Sequence, residues 1–326
     1  MYKLLVIFLI VNYELSGVNS CGGGPTRPEC DEYEYLPHQD RANILTNLPD
    51  TMEIGHCSFT GTHNSMSSIT PNPEAQTQEM PLTKQMESGV RVFDIGVRTL
   101  FDYFALYSGS TSLHWIFMDV IHLINKFLAK HPREFIILIL RQEYMSPLDD
   151  LHPQNCDILA KYLTENIGWR LTRNWTLADT LDKVRGKILL ATNDISFISC
   201  LFELFSRCSY FKDKDSSGYD SSMSVIDNKF IRYLRFIAKS LNQEYTCYIY
   251  DLSIYDKSRY FSTQAKYGGY DFNNECVEPL NHKVNRLYPG SEPKTLTIII
   301  VDFVTQELID HVHEMNEVHV KSYLTG

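Results

Sequence analysis

The sequence predicts an α/β protein, and three observations lead to that prediction. Short apolar runs alternate with helical patterns from residue 54 to the end of the chain. One run, Phe135–Leu140, is continuously apolar, as in strands that are buried on both faces of a parallel sheet. Polar residues follow the ends of several runs, where the catalytic groups of barrel enzymes lie. About eight strand–helix units indicate a distorted (β/α)8 barrel of the TIM type.

Strands are predicted where apolar residues run together between turn residues. In chain order these runs are Cys57–Thr60, Val90–Val97, Phe104–Tyr107, Phe135–Leu140, Lys187–Ala191, Tyr245–Leu252 and Thr295–Val301. Helices are predicted where apolar residues or helix formers recur at helical spacing. These segments are Met80–Ser88, Leu113–Lys130, Cys156–Ile167, Leu177–Val184, Val225–Leu241 and Leu308–Val318. Residues 198–222 and 253–293 are predicted to be loops.

Length and composition favour one large domain. The chain has 326 residues, of which 44% are hydrophobic, so a sizeable core is possible. Residues 21–53 are rich in Gly, Pro and charge and predict an irregular arm, and no linker divides residues 54–326. The net charge of −10 argues against a nucleic-acid-binding protein and against strong electrostatic attraction to an anionic membrane.

The first 20 residues predict a secretory signal peptide. Lys3 supplies the positive start, and Leu4–Val11 supplies an apolar segment that is too short to span a bilayer. Val18-Asn19-Ser20 predicts cleavage before Cys21, so the mature protein is expected to be secreted.

Export makes the cysteines interpretable. The chain has 8 cysteines, and an even count in an oxidising compartment favours disulfides. Cys21 and Cys30, and Cys200 and Cys208, are the nearest pairs along the chain, but spacing does not fix the connectivity. Asn174-Trp175-Thr176 is a glycosylation sequon that fits a secreted eukaryotic protein.

An ordered set of motifs resembles one enzyme family. The set is Gly61-Thr62-His63-Asn64-Ser65-Met66, Ala75-Gln76-Thr77-Gln78, Gly89–Ile95, Phe127–Leu140, Arg185-Gly186-Lys187 and Val301–Val304. These motifs are similar to the X domain of phosphatidylinositol-specific phospholipase C, especially to its small secreted bacterial-type members and their animal relatives. The resemblance implies a barrel that hydrolyses a phosphoric diester in an inositol phospholipid or GPI-like lipid. Its partner would then be a lipid headgroup at a membrane surface.

The family's chemistry assigns roles to residues of this chain. A ring hydroxyl attacks phosphorus, so a base must take its proton, an acid must protonate the leaving oxygen, and a cation must stabilise the transition state. By resemblance, His63 is the base and Asp302 orients it. Asp94 is the family's acidic residue on the second strand. Asn64 and Arg141 occupy positions that contact the headgroup or, for an Asn in the calcium-dependent branch, a metal.

Departures from the family pattern affect the other half of this machinery. Gly96 stands where the metal-free enzymes have Arg and the calcium enzymes have a second carboxylate, so neither a metal nor another cofactor is predicted. Arg98 shares a strand face with Asp94 and Gly96 and is predicted to reach the phosphate instead. Ser108 replaces the second catalytic histidine and cannot act as a general acid near neutral pH.

Two further residues, His114 and Asn193, bear on the same catalytic machinery. His114, at the predicted start of a helix, is expected to be structural or on the surface rather than a replacement acid. Asn193 stands where the family has an Arg.

The sequence therefore leaves two hypotheses open: a secreted phosphodiesterase, or a catalytically impaired protein that binds headgroups or proteins on the same scaffold. A glycerophosphodiesterase is the least favoured, because its His-Arg-Gly and Glu-x-Asp patterns are absent.

Overall fold

The computed structural model of the protein describes residues 33–70, 72–143, 155–164, 169–212, 223–240, 247–253, 260–270, 275–287 and 295–325. The predicted signal peptide and the first part of the predicted arm lie outside these ranges. From residue 33 to the start of the barrel the arm contains turns and no helix or strand.

One mixed sheet of 11 strands forms the centre of the molecule. The strands that form its parallel path are β1 (Ser58–Thr62), β2 (Val92–Leu100), β5 (Ile136–Gln142), β6 (Leu171–Thr172), β7 (Ile188–Thr192), β9 (Ser209–Lys212), β10 (Cys247–Asp251) and β13 (Leu296–Val301). Their order is β6-β7-β5-β2-β1-β13-β10-β9, and every neighbouring pair along this path is parallel. The sheet curls as a half-barrel with helices around it, so the predicted α/β barrel architecture is confirmed.

The remaining elements connect or cover these strands. The other strands are β3 (Tyr103–Ser108), β4 (Thr111–Ile116), β8 (Phe202–Glu203), β11 (Gly269–Tyr270) and β12 (Cys276–Val277). The helices are α1 (Leu82–Glu87), α2 (Phe117–Lys130), α3 (Asn155–Thr164), α4 (Leu181–Val184), α5 (Leu204–Arg207), α6 (Val225–Ser240), α7 (Leu280–Asn285) and α8 (Gln306–Thr325). Short 3-10 turns at Ile54–His56, Pro73–Ala75 and Ile195–Phe197 and a π-helical turn at Thr263–Tyr267 complete the described elements.

Apolar strands build the core, as their sequences predict. All residues from Ile136 to Leu140 in β5 have no measurable exposure, which confirms that this strand is buried on both faces. The strands approach closely at Gly61, where an added Cβ would lie 3.1 Å from Ile300 and 3.2 Å from Val92. Gly89, with a φ of 107°, ends the first helical segment where the sequence predicts its end.

The predicted helix Leu113–Lys130 is wrong over its first residues. Residues Thr111–Ile116 form β4, which pairs antiparallel with β3, and the helix begins only at Phe117. The backbone N–H of Ile116 donates to the Asp119 carboxylate at 3.0 Å, which fixes the helix start there. β3 is likewise antiparallel to β2, so it belongs to a hairpin inserted after β2 and is not a barrel strand.

The segment predicted as a loop over residues 198–222 contains ordered elements. β8, α5 and β9 lie in its described part, and β9 pairs in parallel with β10 as a strand of the curled sheet. The strand was missed because it is only 4 residues long and only Phe211 in it is buried. The predicted helix Leu177–Val184 is also shorter than expected, because the Asp179 carboxylate accepts the N–H of Thr176 in a turn that precedes it.

Two disulfides join pairs of cysteines that both lie in the described ranges. Cys156 of α3 is bonded to Cys200, and Cys208 is bonded to Cys247 of β10. Each bond closes a loop of about 40 residues, for which the expected stabilisation is about 4 kcal/mol. The prediction that the chain forms disulfides is therefore confirmed for these four cysteines and for Cys276, which is also disulfide-bonded. Cys57, in contrast, is a buried free thiol.

Two of the motif residues serve the fold and not the site. Arg91 and Glu134 form a fully buried ion pair at 2.8 Å. Arg91 also donates to the carbonyl of Ala42 at 2.8 Å, and Glu134 accepts the N–H of Leu45 at 3.1 Å. This pair therefore holds the N-terminal arm against the barrel.

Candidate active site

Four neighbouring strands bring the predicted site residues together. In the order β5-β2-β1-β13 they carry Arg141, Asp94, His63 and Asp302. Arg141 lies near the end of β5, and His63 and Asp302 directly follow β1 and β13. Asp94 lies near the start of β2, where Phe93 pairs with Thr62 of β1. Gly96 pairs with Arg141 across β2 and β5, and Thr62 pairs with Val301 across β1 and β13. The parallel register therefore places these side chains at one end of the barrel.

Asp302 fixes the orientation of His63. Nδ1 of His63 lies 2.8 Å from Oδ1 of Asp302, whose side chain is almost fully buried. A carboxylate only accepts, so Nδ1 carries the proton and donates it to Asp302. Nε2 is then unprotonated and faces the pocket. The His63 side chain keeps 17% exposure, so a ligand can reach it.

The Ala75–Gln78 motif holds the backbone beside this histidine. Thr77 Oγ1 donates to the carbonyl of His63 at 2.7 Å, and Gln78 Nε2 donates to the same carbonyl at 3.0 Å. Gln78 also donates to the carbonyl of Val301 at 2.9 Å. The motif thus ties the ends of β1 and β13 together and sets the spacing of His63 and Asp302.

Arg141 is the cation in contact with His63. Its Nε donates to both carboxylate oxygens of Asp94, at 2.9 and 3.0 Å. Its terminal nitrogens pair with Glu143 and with Oδ1 of Asn64. Nη2 also lies 3.3 Å from Nε2 of His63, and because a guanidinium only donates, this contact agrees with an unprotonated Nε2.

Gly96 leaves no room for a larger residue. An added Cβ would lie 2.5 Å from the carbonyl oxygen of Tyr107 and 3.2 Å from both Asn64 Oδ1 and Glu143 Oε2. The hairpin strand β3 therefore closes the place where a side chain from this position would enter. The neighbouring strand carries Arg141 opposite Gly96, and its guanidinium contacts His63.

Ser108 is enclosed and does not face the pocket as an acid would. Its hydroxyl donates to the carbonyl of Ala75 at 2.8 Å and accepts from Nδ2 of Asn64 at 2.9 Å. Asn64 itself has a φ of 42°, a left-handed conformation that Asn tolerates better than most residues. Ser108 thus holds the amide of Asn64 so that its oxygen faces Arg141.

Two predicted residues lie away from this cluster. The guanidinium of Arg98 lies over the ring of Tyr107, 5.6 Å from its centroid. His114, expected at the start of a helix, is instead exposed on strand β4 with a φ of 58°. Its expected surface position is thus found, although the secondary structure predicted for it was wrong.

A second polar group forms a wall on β10 and β9, the strands beyond β13 in the sheet order. Tyr210 donates to Asp251 at 3.3 Å and accepts from Asn193 Nδ2 at 2.9 Å, and Lys212 pairs with Asp251 at 3.4 Å. Burial alone would raise the pKa of Asp251, but the positive charges of Lys212 and Lys229 and a hydrogen bond from Ser253 hold that pKa well below its usual range. The pKa of Tyr210 is raised by burial and by the charge of Asp251. β10 pairs with β13, the strand that Asp302 follows, so this wall lies beside the His63 cluster.

Sequence reasoning missed most of this wall. Tyr210 and Lys212 lie in the strand that was predicted as a loop, and Asp251 was taken only as part of a strand end. The sequence offered two signals for this wall. Tyr210 and Lys212 are two residues apart and so share one face of β9, and the carboxylate of Asp251 ends β10. Asn193 Oδ1 is buried without a hydrogen-bond partner, so an acceptor is available at this wall.

One branch of the family that this chain resembles depends on calcium, but calcium does not fit this arrangement of donor groups. Oxygens of Asn64, Asp94 and Glu143 surround the Arg141 guanidinium, which occupies the place where a cation would need those oxygens. Within the described ranges, no group of three or more His, Cys, Asp or Glu side chains is arranged to hold a metal ion.

The fold and site together define a barrel with a carboxylate-oriented histidine and a neighbouring arginine at the strand ends. Comparison with known proteins shows which family this chain is similar to. Residues 54–194 match the model of the phosphatidylinositol-specific phospholipase C X domain, which confirms the predicted resemblance.

The most informative relatives are bacterial. The chain is 34% identical over 156 residues to a 1-phosphatidylinositol phosphodiesterase of Listeria monocytogenes, which is 46% of this chain and 48% of that protein. It is 28% identical over 109 residues to a Staphylococcus aureus protein of the same name, covering 32% of this chain and 35% of the relative. The aligned part thus spans half or less of the length of these curated relatives.

Solved structures agree on the fold over most of the chain. The phosphatidylinositol-specific phospholipase C of Listeria monocytogenes matches with a TM-score of 0.64 at 21% identity, over 85% of this chain and 99% of that one. A variant of the Staphylococcus aureus enzyme matches with a TM-score of 0.67 at 18% identity, over 86% and 98%. At these identities the likeness concerns the fold. None of the helices in the described ranges is long and apolar enough to cross a membrane.

Proposed function

We propose that this protein is a metal-independent phosphodiesterase that cleaves the phosphoric diester of an inositol phospholipid or GPI-like lipid. The observation that supports it most is the chain of contacts Asp302–His63–Arg141. It presents an unprotonated imidazole nitrogen next to a guanidinium, which is what a base beside a phosphate requires.

The reaction begins at Nε2 of His63. This nitrogen takes the proton of a ring hydroxyl while the hydroxyl oxygen forms a bond to the neighbouring phosphorus. The bond from phosphorus to the diacylglycerol oxygen breaks, which gives diacylglycerol and a cyclic inositol phosphate. Asp302 stabilises the imidazolium that forms, and Arg141 stabilises the charge on the non-bridging oxygens.

The leaving oxygen must take its proton from water, because Ser108 occupies the position of the family's second histidine and is bonded to Ala75 and Asn64. Loss of a general acid typically costs ~100- to 10,000-fold in rate. We therefore expect a slow enzyme. We expect the unpaired Oδ1 of Asn193 to accept a hydrogen bond from a hydroxyl group of the headgroup.

The test is the release of water-soluble inositol phosphate from phosphatidylinositol vesicles, with calcium and with a chelator. Wild type should release product at equal rates in both conditions, and His63→Ala should abolish release. His114→Ala is the matched control, because this histidine is exposed on β4, and it should behave as wild type. A wild type that cannot be told from His63→Ala would refute the enzymatic reading.

A second candidate function is headgroup binding without turnover. The pairing of Arg141 with Asp94 and Glu143 favours it, because two carboxylates compete with a phosphate for the guanidinium. Calorimetric titration with inositol 1-phosphate separates the two: binding by wild type and by His63→Ala, with no hydrolysis by either, would support a binding protein.

We also propose that the protein is exported, because residues 1–20 have the pattern of a signal peptide and disulfides persist in oxidising compartments. Expression of the full chain in eukaryotic cells should place it in the medium with Cys21 as its first residue. Asn174 is exposed, so the secreted protein should carry a glycan that Asn174→Gln removes. Retention of an uncleaved chain inside the cell would contradict export.

A further inference from the structure

Basic side chains gather at the end of the barrel opposite to His63. The strands β5, β7 and β6 start at the same level of the sheet, because Ile188 pairs with both Ile136 and Leu171. His63 follows the carboxyl end of β1, whereas the segments that lead into these three strands lie at their amino ends. Those segments carry five cations, which we call the basic patch: Lys130, Arg133, Arg170, Arg185 and Lys187.

Gly186 lies at the centre of the basic patch. Its carbonyl accepts a hydrogen bond from Nη1 of Arg170 at 2.6 Å. Arg185 and Lys187 are its neighbours in the chain, and Arg185 also donates to the carbonyl of Arg133. Contacts with backbone carbonyls therefore fix these cations close to one another.

Few carboxylates neutralise the patch. Asp50 accepts from Nε of Arg185 at 2.6 Å and from Nη2 of Arg133 at 2.9 Å, and these hydrogen bonds lower the pKa of Asp50. Asp182, at the border of the patch, bonds to the hydroxyl of Thr180 instead. The other three cations have no ion-pair partner within the part of the chain that the structure describes. The patch is thus a positive surface on a chain whose net charge is −10.

Trp169 adds an apolar face to this surface. It is 69% exposed, and the guanidinium of Arg170 lies 4.0 Å from the centroid of its ring. Partial burial lowers the pKa of Arg170, and no carboxylate of the described ranges offsets that effect. Positive charge beside an exposed indole suits a ligand that has both anionic groups and apolar ring surface.

We propose that the basic patch binds a sulfated polysaccharide of the glycosaminoglycan class and so holds the exported protein at a cell surface or matrix. This inference goes beyond the proposed phosphodiesterase activity and rests on the proposed export, because these polymers are extracellular. Their sulfate groups recur along the chain and match several separate cations. A guanidinium suits such an oxyanion, because it can donate two parallel hydrogen bonds to it.

The position of the patch favours a polysaccharide over an anionic bilayer. A bilayer at the amino ends of the strands would leave the His63 pocket at the far end of the barrel, away from the lipid that the proposed reaction needs. An extended anionic surface would also repel a protein with a net charge of −10. A single polysaccharide chain meets only the patch, because charges beyond about 8 Å are largely screened at physiological salt.

The experiment is calorimetric titration of the purified full chain with a heparin oligosaccharide of defined length. Lys130→Gln and Lys187→Gln should each weaken binding about fivefold, the usual loss when one lysine leaves an anionic surface. The double variant should weaken it about 25-fold. Both lysines are exposed, so the folds of the variants should be unchanged, which thermal unfolding checks. Lys161→Gln is the matched control, because Lys161 is 52% exposed but pairs with Asp102 in the hairpin after β2, and it should bind as wild type.

Four outcomes would overturn the proposal: no binding of heparin by wild type, equal binding by wild type and the double variant, equal affinity for desulfated heparin, or binding that persists in 1 M salt. Binding to phosphatidylserine vesicles that exceeds binding to heparin and is lost in the double variant would assign the patch to a membrane instead.

Hydrolysis of a monomeric short-chain phosphatidylinositol is measured in parallel. It should be unchanged in the Lys130 and Lys187 variants and in the presence of heparin, because the patch and the pocket lie at opposite ends of the barrel. If neither wild type nor any variant hydrolyses this substrate, the proposed activity fails while the heparin result stands by itself.

Discussion

Nη2 of Arg141 lies 3.3 Å from Nε2 of His63, so the guanidinium contacts the imidazole directly. In the proposed reaction the lone pair of this nitrogen accepts the proton of the ring hydroxyl, and without a ligand the guanidinium occupies that lone pair. A phosphate is a stronger partner for Arg141 than a neutral imidazole. We therefore expect phosphate binding to draw Arg141 away and to free Nε2, so that substrate binding and base activation occur together.

Asp302→Asn should lower the rate of inositol phosphate release at least ~100-fold with little change in binding. An amide can donate to Nδ1, which would place the imidazole proton on Nε2 and leave no lone pair for the ring hydroxyl. The measurement is kcat and KM on phosphatidylinositol, compared with His63→Ala. A variant as active as wild type would mean that Asp302 does not set the tautomer of His63.

Arg141→Ala should lower kcat by ~100- to 1,000-fold, the usual cost of one donor to a developing negative charge. Arg98→Ala should lower it less than tenfold, since Arg98 lies over the Tyr107 ring and Arg141 contacts His63. Arg141→Lys should recover only part of the loss, because an ammonium cannot reproduce the two-pronged contact with Asp94. A larger loss in Arg98→Ala than in Arg141→Ala would show that Arg98 is the phosphate cation.

The sequence predicted the sheet well where strands are long and apolar, as in β5 and β13. It failed for β9, whose 4 residues include only one buried side chain, and for β4, whose pattern was taken for the start of a helix. In the site, His63, Asp94, Arg141 and Asp302 were all identified, because they lie in or next to apolar runs and in motifs that resemble the family. The contacts of Glu143 and of the Tyr210–Asp251 wall were not predicted. They form between strands that are distant in the sequence, and local sequence patterns carry no information about them.

Gly96 shows how a contact between strands changes the arrangement of the site. The residue was identified as a loss of charge, and the sequence suggested Arg98, on the same strand face, as its replacement. The structure adds the cause of the loss: the carbonyl of Tyr107 fills the space that a side chain would need. An antiparallel hairpin after β2, which the sequence pattern did not predict, thus determines which arginine reaches His63.

Ser108→His should not restore fast catalysis, although histidine is the family's residue at this position. The serine is 5% exposed and its hydroxyl lies between Ala75 and Asn64, so a larger ring must displace the 3-10 turn Pro73–Ala75. Overpacking of this kind costs about 1–3 kcal/mol. Thermal unfolding and the rate of product release are measured together. A more active variant of unchanged stability would show that the turn moves aside and that the site lacks only its acid.

Glu79 should make the stability of the protein depend on pH in the acid range. Its carboxylate pairs with Lys266 and Tyr267 and lies 3.5 Å from Nε2 of His38, and so joins the arm to the segment after β10. Burial would raise the pKa of Glu79, but these hydrogen bonds and the charge of Lys266 lower it from 4.5 to about 2.

Because the pKa of the folded state is lower than that of the unfolded chain, the Glu79 contribution is fully present above about pH 4.5 and is lost as the pH falls toward about 2. Glu79→Gln should therefore be less stable than wild type at pH 7, and the difference should shrink below pH 4.5. Urea unfolding at a series of pH values measures it, with Glu74→Gln, an exposed change in the same segment, as the control. A difference that stays constant down to pH 2 would show that the Glu79 cluster does not stabilise the folded state through its charge.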